Sequence, residues 1–109
     1  MTGKLSVLPT PRMDLAGPDV ADAAAAAALL ADPVRAGILR MLADGRHCVC
    51  EMAAALGVRE NNLSNHLARL RNAGMVSASR HEANGRFLYY ERNDAVVAAA
   101  RAALDEVLR

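Results

Sequence analysis

Between Gly57 and Gly74 lies the segment "VRENNLSNHLARLRNA", in which Leu63, Leu67 and Leu70 fall on one side of a 3.6-residue wheel. Asn61, Ser64, Asn65, Ala68, Arg69 and Asn72 fall on the other side. This pattern predicts a helix from about Glu60 to Ala73, stopped by Gly74 and burying a narrow leucine stripe. Just before it, Cys50 to Leu56 reads as a short helix closed by Gly57, so a tight turn joins two helices as a helix-turn-helix. Just after it, Met75–His81 and Arg86–Arg92 read as strands around Asn84-Gly85, a strong hairpin signal. A hairpin following a helix-turn-helix is a wing.

The flanks are helical. Asp19 is a candidate N-cap for an alanine-rich helix to about Ala31. Asp32-Pro33 opens a second helix in which Val34, Ile38, Leu39 and Leu42 recur at helical spacing, with Gly45 beyond it. Asp94 is a candidate cap for a last helix with a broad apolar face of Val96, Val97, Ala100, Leu104, Val107 and Leu108. The expected fold is therefore mainly α with a small β-hairpin: a winged helix-turn-helix of four helices, two strands and a final helix. Residues 1–18, with three prolines and no periodicity, read as an arm, and 19–109 as one domain.

A chain of 109 residues with two tyrosines, one phenylalanine and no tryptophan buries little area per residue, so pairing with a second copy is expected. No apolar run approaches the roughly 20 residues that span a bilayer. Met1 to Gly17 lacks the apolar segment of a secretion signal, and no membrane partner is expected. The only cysteines, Cys48 and Cys50, are too close to staple a fold, which fits a reducing, cytoplasmic setting. Neither a Cys-x-x-Cys motif nor a cofactor loop is present, so an enzyme is not expected.

Charge is uneven. From Arg59 to Arg92 six arginines face three glutamates, a net of +3, while the rest of the chain is net −2. Phosphate contacts need cations, and base reading needs groups such as asparagine for adenine and arginine for guanine. Asn61, Ser64, Asn65 and Arg69, with Arg59 and Asn62 at the N-terminal end, suit a helix lying in a major groove of double-stranded DNA. Arg80 and Arg86 on the hairpin would reach flanking phosphates or the minor groove. His66, at the edge of the leucine stripe, is assigned a structural or phosphate-contacting role.

"LLADPVRAGILRMLADG", "CVCEMAAALGV", "LSNHLARLRNAGMV" and "GRFLYYE" together resemble the ArsR/SmtB family of bacterial metal-sensing repressors, over about Ala23 to Leu108. The resemblance implies a homodimer joined through its first and last helices, bound to an operator until metal weakens the complex. It also implies that Cys48 and Cys50 form the thiol site of the third helix.

Thiolates select As(III), Cd(II), Pb(II) and related soft ions. Residues two apart on a regular helix point about 200° from each other. Cys48 and Cys50 can therefore share an ion only if Cys48 is extended and Cys50 begins the helix, whose N-terminus favours thiolate. Against the family pattern, the third cysteine of arsenite-binding members is replaced by Ala53, and the arm holds no cysteine. The last helix offers Asp94, Asp105 and Glu106 without histidine, which makes the family's zinc site less expected. The recognition-helix thiols of another cadmium-sensing pattern are Arg69 and Ala73 here. His47, or an arm carboxylate such as Asp14 or Asp19, is a candidate helper ligand. Thiol oxidation or persulfide formation is the competing signal, and an inducer other than a metal is a further alternative.

Overall fold

The computed structural model describes residues 11–80, 85 and 87–109. Five helices are formed: α1 (Pro18–Leu30), α2 (Pro33–Leu42), α3 (Val49–Leu56), α4 (Glu60–Asn72) and α5 (Asp94–Leu108). Three strands, β1 (His47–Cys48), β2 (Val76–Arg80) and β3 (Leu88–Arg92), make one antiparallel sheet in the order β1-β3-β2. The wing expected from the sequence is β2 and β3, with Ala78 opposite Tyr90.

The third strand was not expected. His47 pairs with Tyr90 and Cys48 with Tyr89, which joins the segment before α3 to the wing. Caps also differ. Asp19 lies inside the first turn of α1, whose N-cap is Gly17 without a side-chain hydrogen bond, so the helix starts two residues earlier than expected. Asn93, not Asp94, caps α5, its side chain accepting from the Val96 N–H. Asp32 caps α2 as expected, its carboxylate accepting from the Val34 N–H at 2.8 Å. That helix ends at Leu42, before Gly45.

The core gathers the predicted stripes. Leu63, Leu67 and Leu70 of α4 are fully buried, with Ile38 of α2, Met52 of α3, and Met75, Val76 and Tyr90 around them. Gly37 lets α3 approach α2 closely: a Cβ there would stand 2.8 Å from a methyl of Leu56. Gly57 ends α3 in the left-handed region at φ 67°, which turns the chain into α4. α1 packs along α5. No residue of α5 is fully buried, and Val107 and Leu108 point into solvent. Among the described residues, no helix is long and apolar enough to cross a membrane.

Candidate functional site

The thiol pair sits where β1 becomes α3. Cys48 is extended, with φ −81° and ψ 162°, and is the N-cap of α3, while Cys50 lies in the first helical turn. The condition for both sulfurs to face one way is therefore met, and the two sulfurs are in direct contact, as a disulfide. Cys48 is buried and Cys50 exposed. Cys48 Sγ accepts from the Glu51 N–H at 3.3 Å, and the Glu51 carboxylate accepts from the Cys48 N–H at 2.9 Å. This is a capping box with a sulfur in place of the usual hydroxyl. The Cys48 N–H, then the neighbouring His47, hold the Glu51 carboxyl below the usual carboxylate range.

His47 is drawn away from the thiols. Its Nδ1 lies 3.6 Å from a Glu51 oxygen, just outside hydrogen-bond reach, and has no hydrogen-bond partner among the described residues. Asp14 is engaged at the head of α1, accepting from the Ala16 N–H at 3.0 Å. Among the described residues, no three His, Cys, Asp or Glu side chains converge on one ion position. The pair thus brings two sulfurs of this chain together. The proposed helpers His47, Asp14 and Asp19 are not gathered with it.

An open groove of about 420 Å³ adjoins the thiols, bounded by Val49, by Glu60 and Ser64 of α4, and by Phe87 and Leu88 at the start of the wing strand. Arg46 stacks over the Tyr89 ring, its guanidinium carbon 5.2 Å from the centroid. The turn holding the two cysteines therefore faces α4 across the groove and joins β3 through backbone pairing.

On α4, Asn61, Asn62, Ser64, Asn65 and Arg69 are all exposed, as is Arg59 at its N-cap. The carbonyl of the Asn61 side chain accepts from the Asn62 N–H at 2.9 Å. Arg80 is exposed and donates to Gly85 O at 3.0 Å. Arg86 and Asn84 lie outside the described residues. His66 differs from the other predicted contacts, because it is half-buried and both ring nitrogens face protein groups, Arg35 and Asp32. Arg35 was missed by the sequence reading. Its signal was present, since it is an arginine spaced three, four and seven residues before Ile38, Leu39 and Leu42 in an apolar stripe.

A recognition helix held by a leucine stripe, a polar face of asparagine, serine and arginine, and an antiparallel wing define a winged-helix DNA-binding protein. Residues 32–78 match the family described as "Bacterial regulatory protein, arsR family". The chain is 33% identical to the arsenical resistance operon repressor of Escherichia coli K12 over 82 residues, 74% of this chain and 68% of that one. It is 40% identical to the regulator CmtR of Mycobacterium tuberculosis over 79 residues, 72% of this chain and 64% of that one. Among solved structures it superposes on NolR from Sinorhizobium fredii with a TM-score of 0.68 at 28% identity, covering 91% and 96% of the two chains. A possible transcriptional regulator for arsenical resistance gives a TM-score of 0.69 at 28% identity, covering 77% and 84%. The chain belongs to the ArsR family of bacterial transcriptional regulators, which are DNA-binding proteins and not enzymes.

Proposed function

We propose that this chain is a dimeric, cytoplasmic repressor that leaves its operator when a thiophilic ion, As(III), Cd(II) or Pb(II), binds Cys48 and Cys50. The observation that carries the reading is the convergence of the two sulfurs at the N-cap of α3, beside α4 and in a strand paired to the wing. Once a cellular thiol reductant has supplied two electrons and opened the sulfur–sulfur bond, the N-terminal end of α3 favours thiolate there. Trivalent arsenic takes two sulfurs and keeps a hydroxide or an organic substituent as its third bond. A divalent ion wants about four ligands and would need water or a further group. Zn(II), lacking that set, is the weaker candidate.

In this mechanism α4 lies in a major groove. Asn61, Ser64, Asn65 and Arg69 read bases, Arg59 and Asn62 anchor the end, and Arg80 and Arg86 contact phosphates. Reduced Cys48 and Cys50 would hold the ion, and a shift of Cys48 would carry to β3 through their pairing and to the start of α3. A coupling of about 1–3 kcal/mol weakens operator binding some 5- to 150-fold. The test is the double variant Cys48→Ser, Cys50→Ser in a gel-shift with the chain's own upstream DNA. Binding retained but no longer released by arsenite or Cd(II) is expected; continued release would sink the thiol assignment.

The contact between the sulfurs also favours a second reading, release by thiol oxidation or persulfide formation. Release by peroxide or persulfide, with none by arsenite, Cd(II) or Pb(II) under reducing conditions, would select it.

A further inference from the structure

Arg35 is 7% exposed, yet its guanidinium has three protein acceptors. Nε donates to Leu29 O at 2.6 Å and Nη2 to Ala28 O at 3.1 Å. Both carbonyls belong to the last turn of α1, where a helix runs short of intrahelical donors and carries its negative end; Ala28 O also accepts from the Ala31 N–H at 3.4 Å. α1 has no basic residue of its own in that turn, so a cation from α2 caps it. The third arm, Nη1, reaches Nδ1 of His66 on α4 at 3.2 Å. A guanidinium only donates, so Nδ1 must be the acceptor and the ring proton sits on Nε2. Nε2 faces the Asp32 carboxylate at 3.9 Å, and that carboxylate also caps α2.

We infer that Arg35 and His66 are positioning residues for operator reading, a clamp that fixes the recognition helix against the end of the dimerisation helix. His66 acts through Arg35 and not on a phosphate, because its two nitrogens are turned to Arg35 and Asp32. The inference rests on the reading of this chain as a dimeric operator binder, in which the angle of α4 relative to α1 sets the fit to two successive grooves.

The test uses the full chain and a labelled duplex of its own upstream DNA, with anisotropy titrations across a salt series. His66→Leu should weaken binding roughly three- to thirtyfold while leaving the slope of log affinity against log salt unchanged. His66→Asn, whose Oδ1 stands in for Nδ1, should restore it. Arg35→Lys should be as weak as His66→Leu, and combining the two should add no further loss. A slope that drops by about one unit in both His66 variants would make the ring a phosphate contact and overturn the clamp. Additive losses would overturn it as well. Should His66→Leu fail to fold, the other two variants decide: asparagine tolerated and lysine weak supports the clamp, while equal weakening overturns it. Long-range proton–nitrogen spectra of the free protein give a readout without DNA, with the Nε2–H tautomer expected. An Nδ1–H ring beside a bound duplex overturns this inference alone, whereas a wild-type chain that binds no duplex overturns both readings.

Discussion

At the scale of single residues, Cys48 has two jobs on one sulfur: candidate ligand and helix cap. Serine is a preferred N-cap and completes the Ser-x-x-Glu form of the same box, so Cys48→Ser should leave α3 intact. Cys48→Ala removes the acceptor and should cost about 1 kcal/mol, read as a lower midpoint in denaturant. The contrast separates loss of sensing from loss of structure. Glu51 and Asp32 add a pH signature, because backbone N–H groups hold both carboxyls below the ordinary range. A depressed carboxyl stabilises the fold above its unfolded value, and that stability is lost as pH falls through the folded value. Thermal melts should therefore show midpoints that drop on acidification below the ordinary carboxylate range. The drop should flatten in a Glu51→Gln, Asp32→Asn double variant, and an unchanged profile would show that neither cap matters. Helix geometry gave the condition under which Cys48 and Cys50 share one side, an extended Cys48 and a helical Cys50, but not the cap role of Cys48, since cysteine is outside the usual set of capping residues.

At the scale of elements, the geometry between α3 and α4 depends on one glycine. Gly57 adopts φ 67° with open space around its Cα, so an added methyl meets no neighbour and only the backbone term acts. Gly57→Ala should destabilise the chain by about 1–2 kcal/mol, measurable by urea denaturation, and should loosen operator binding by re-aiming α4. A neutral result would mean the turn relaxes without moving the helix. Such turns were legible because glycine placement and leucine spacing both marked them, and α3 and α4 lie within a residue or so of their expected bounds. β1 was not legible, because two residues carry no alternation, and its pairing with β3 is a long-range fact. The shifted cap of α5 has a related cause: Asn93 and Asp94 are adjacent residues that both suit an N-cap, and only backbone geometry chooses between them. The pairing of Arg35 with His66 was not legible for the same reason as β1, since it spans 31 residues of sequence.

At the scale of the whole molecule, the pattern of burial asks for a second copy. α5 has no fully buried residue, while Val20, Ala23, Ala24, Ala27, Leu104, Val107 and Leu108 line an apolar groove along α1 and α5. Val107 and Leu108 are 49% and 78% exposed, which isolated globular chains avoid in a contiguous patch. A twofold pairing through α1 and α5 would cover this face and set two α4 helices about 34 Å apart, one turn of DNA. Leu104→Glu should then place a carboxylate in the shared core and convert the protein to monomer in sedimentation equilibrium. Operator affinity should fall with it, since each half-site alone offers half of the phosphate contacts. The wild-type protein should in turn lose binding when about five base pairs, half a turn, are inserted between half-sites, because a second recognition helix would then face the wrong side of the duplex. A Leu104→Glu protein that stays dimeric, or a wild type indifferent to half-site spacing, would place the interface elsewhere on the molecule.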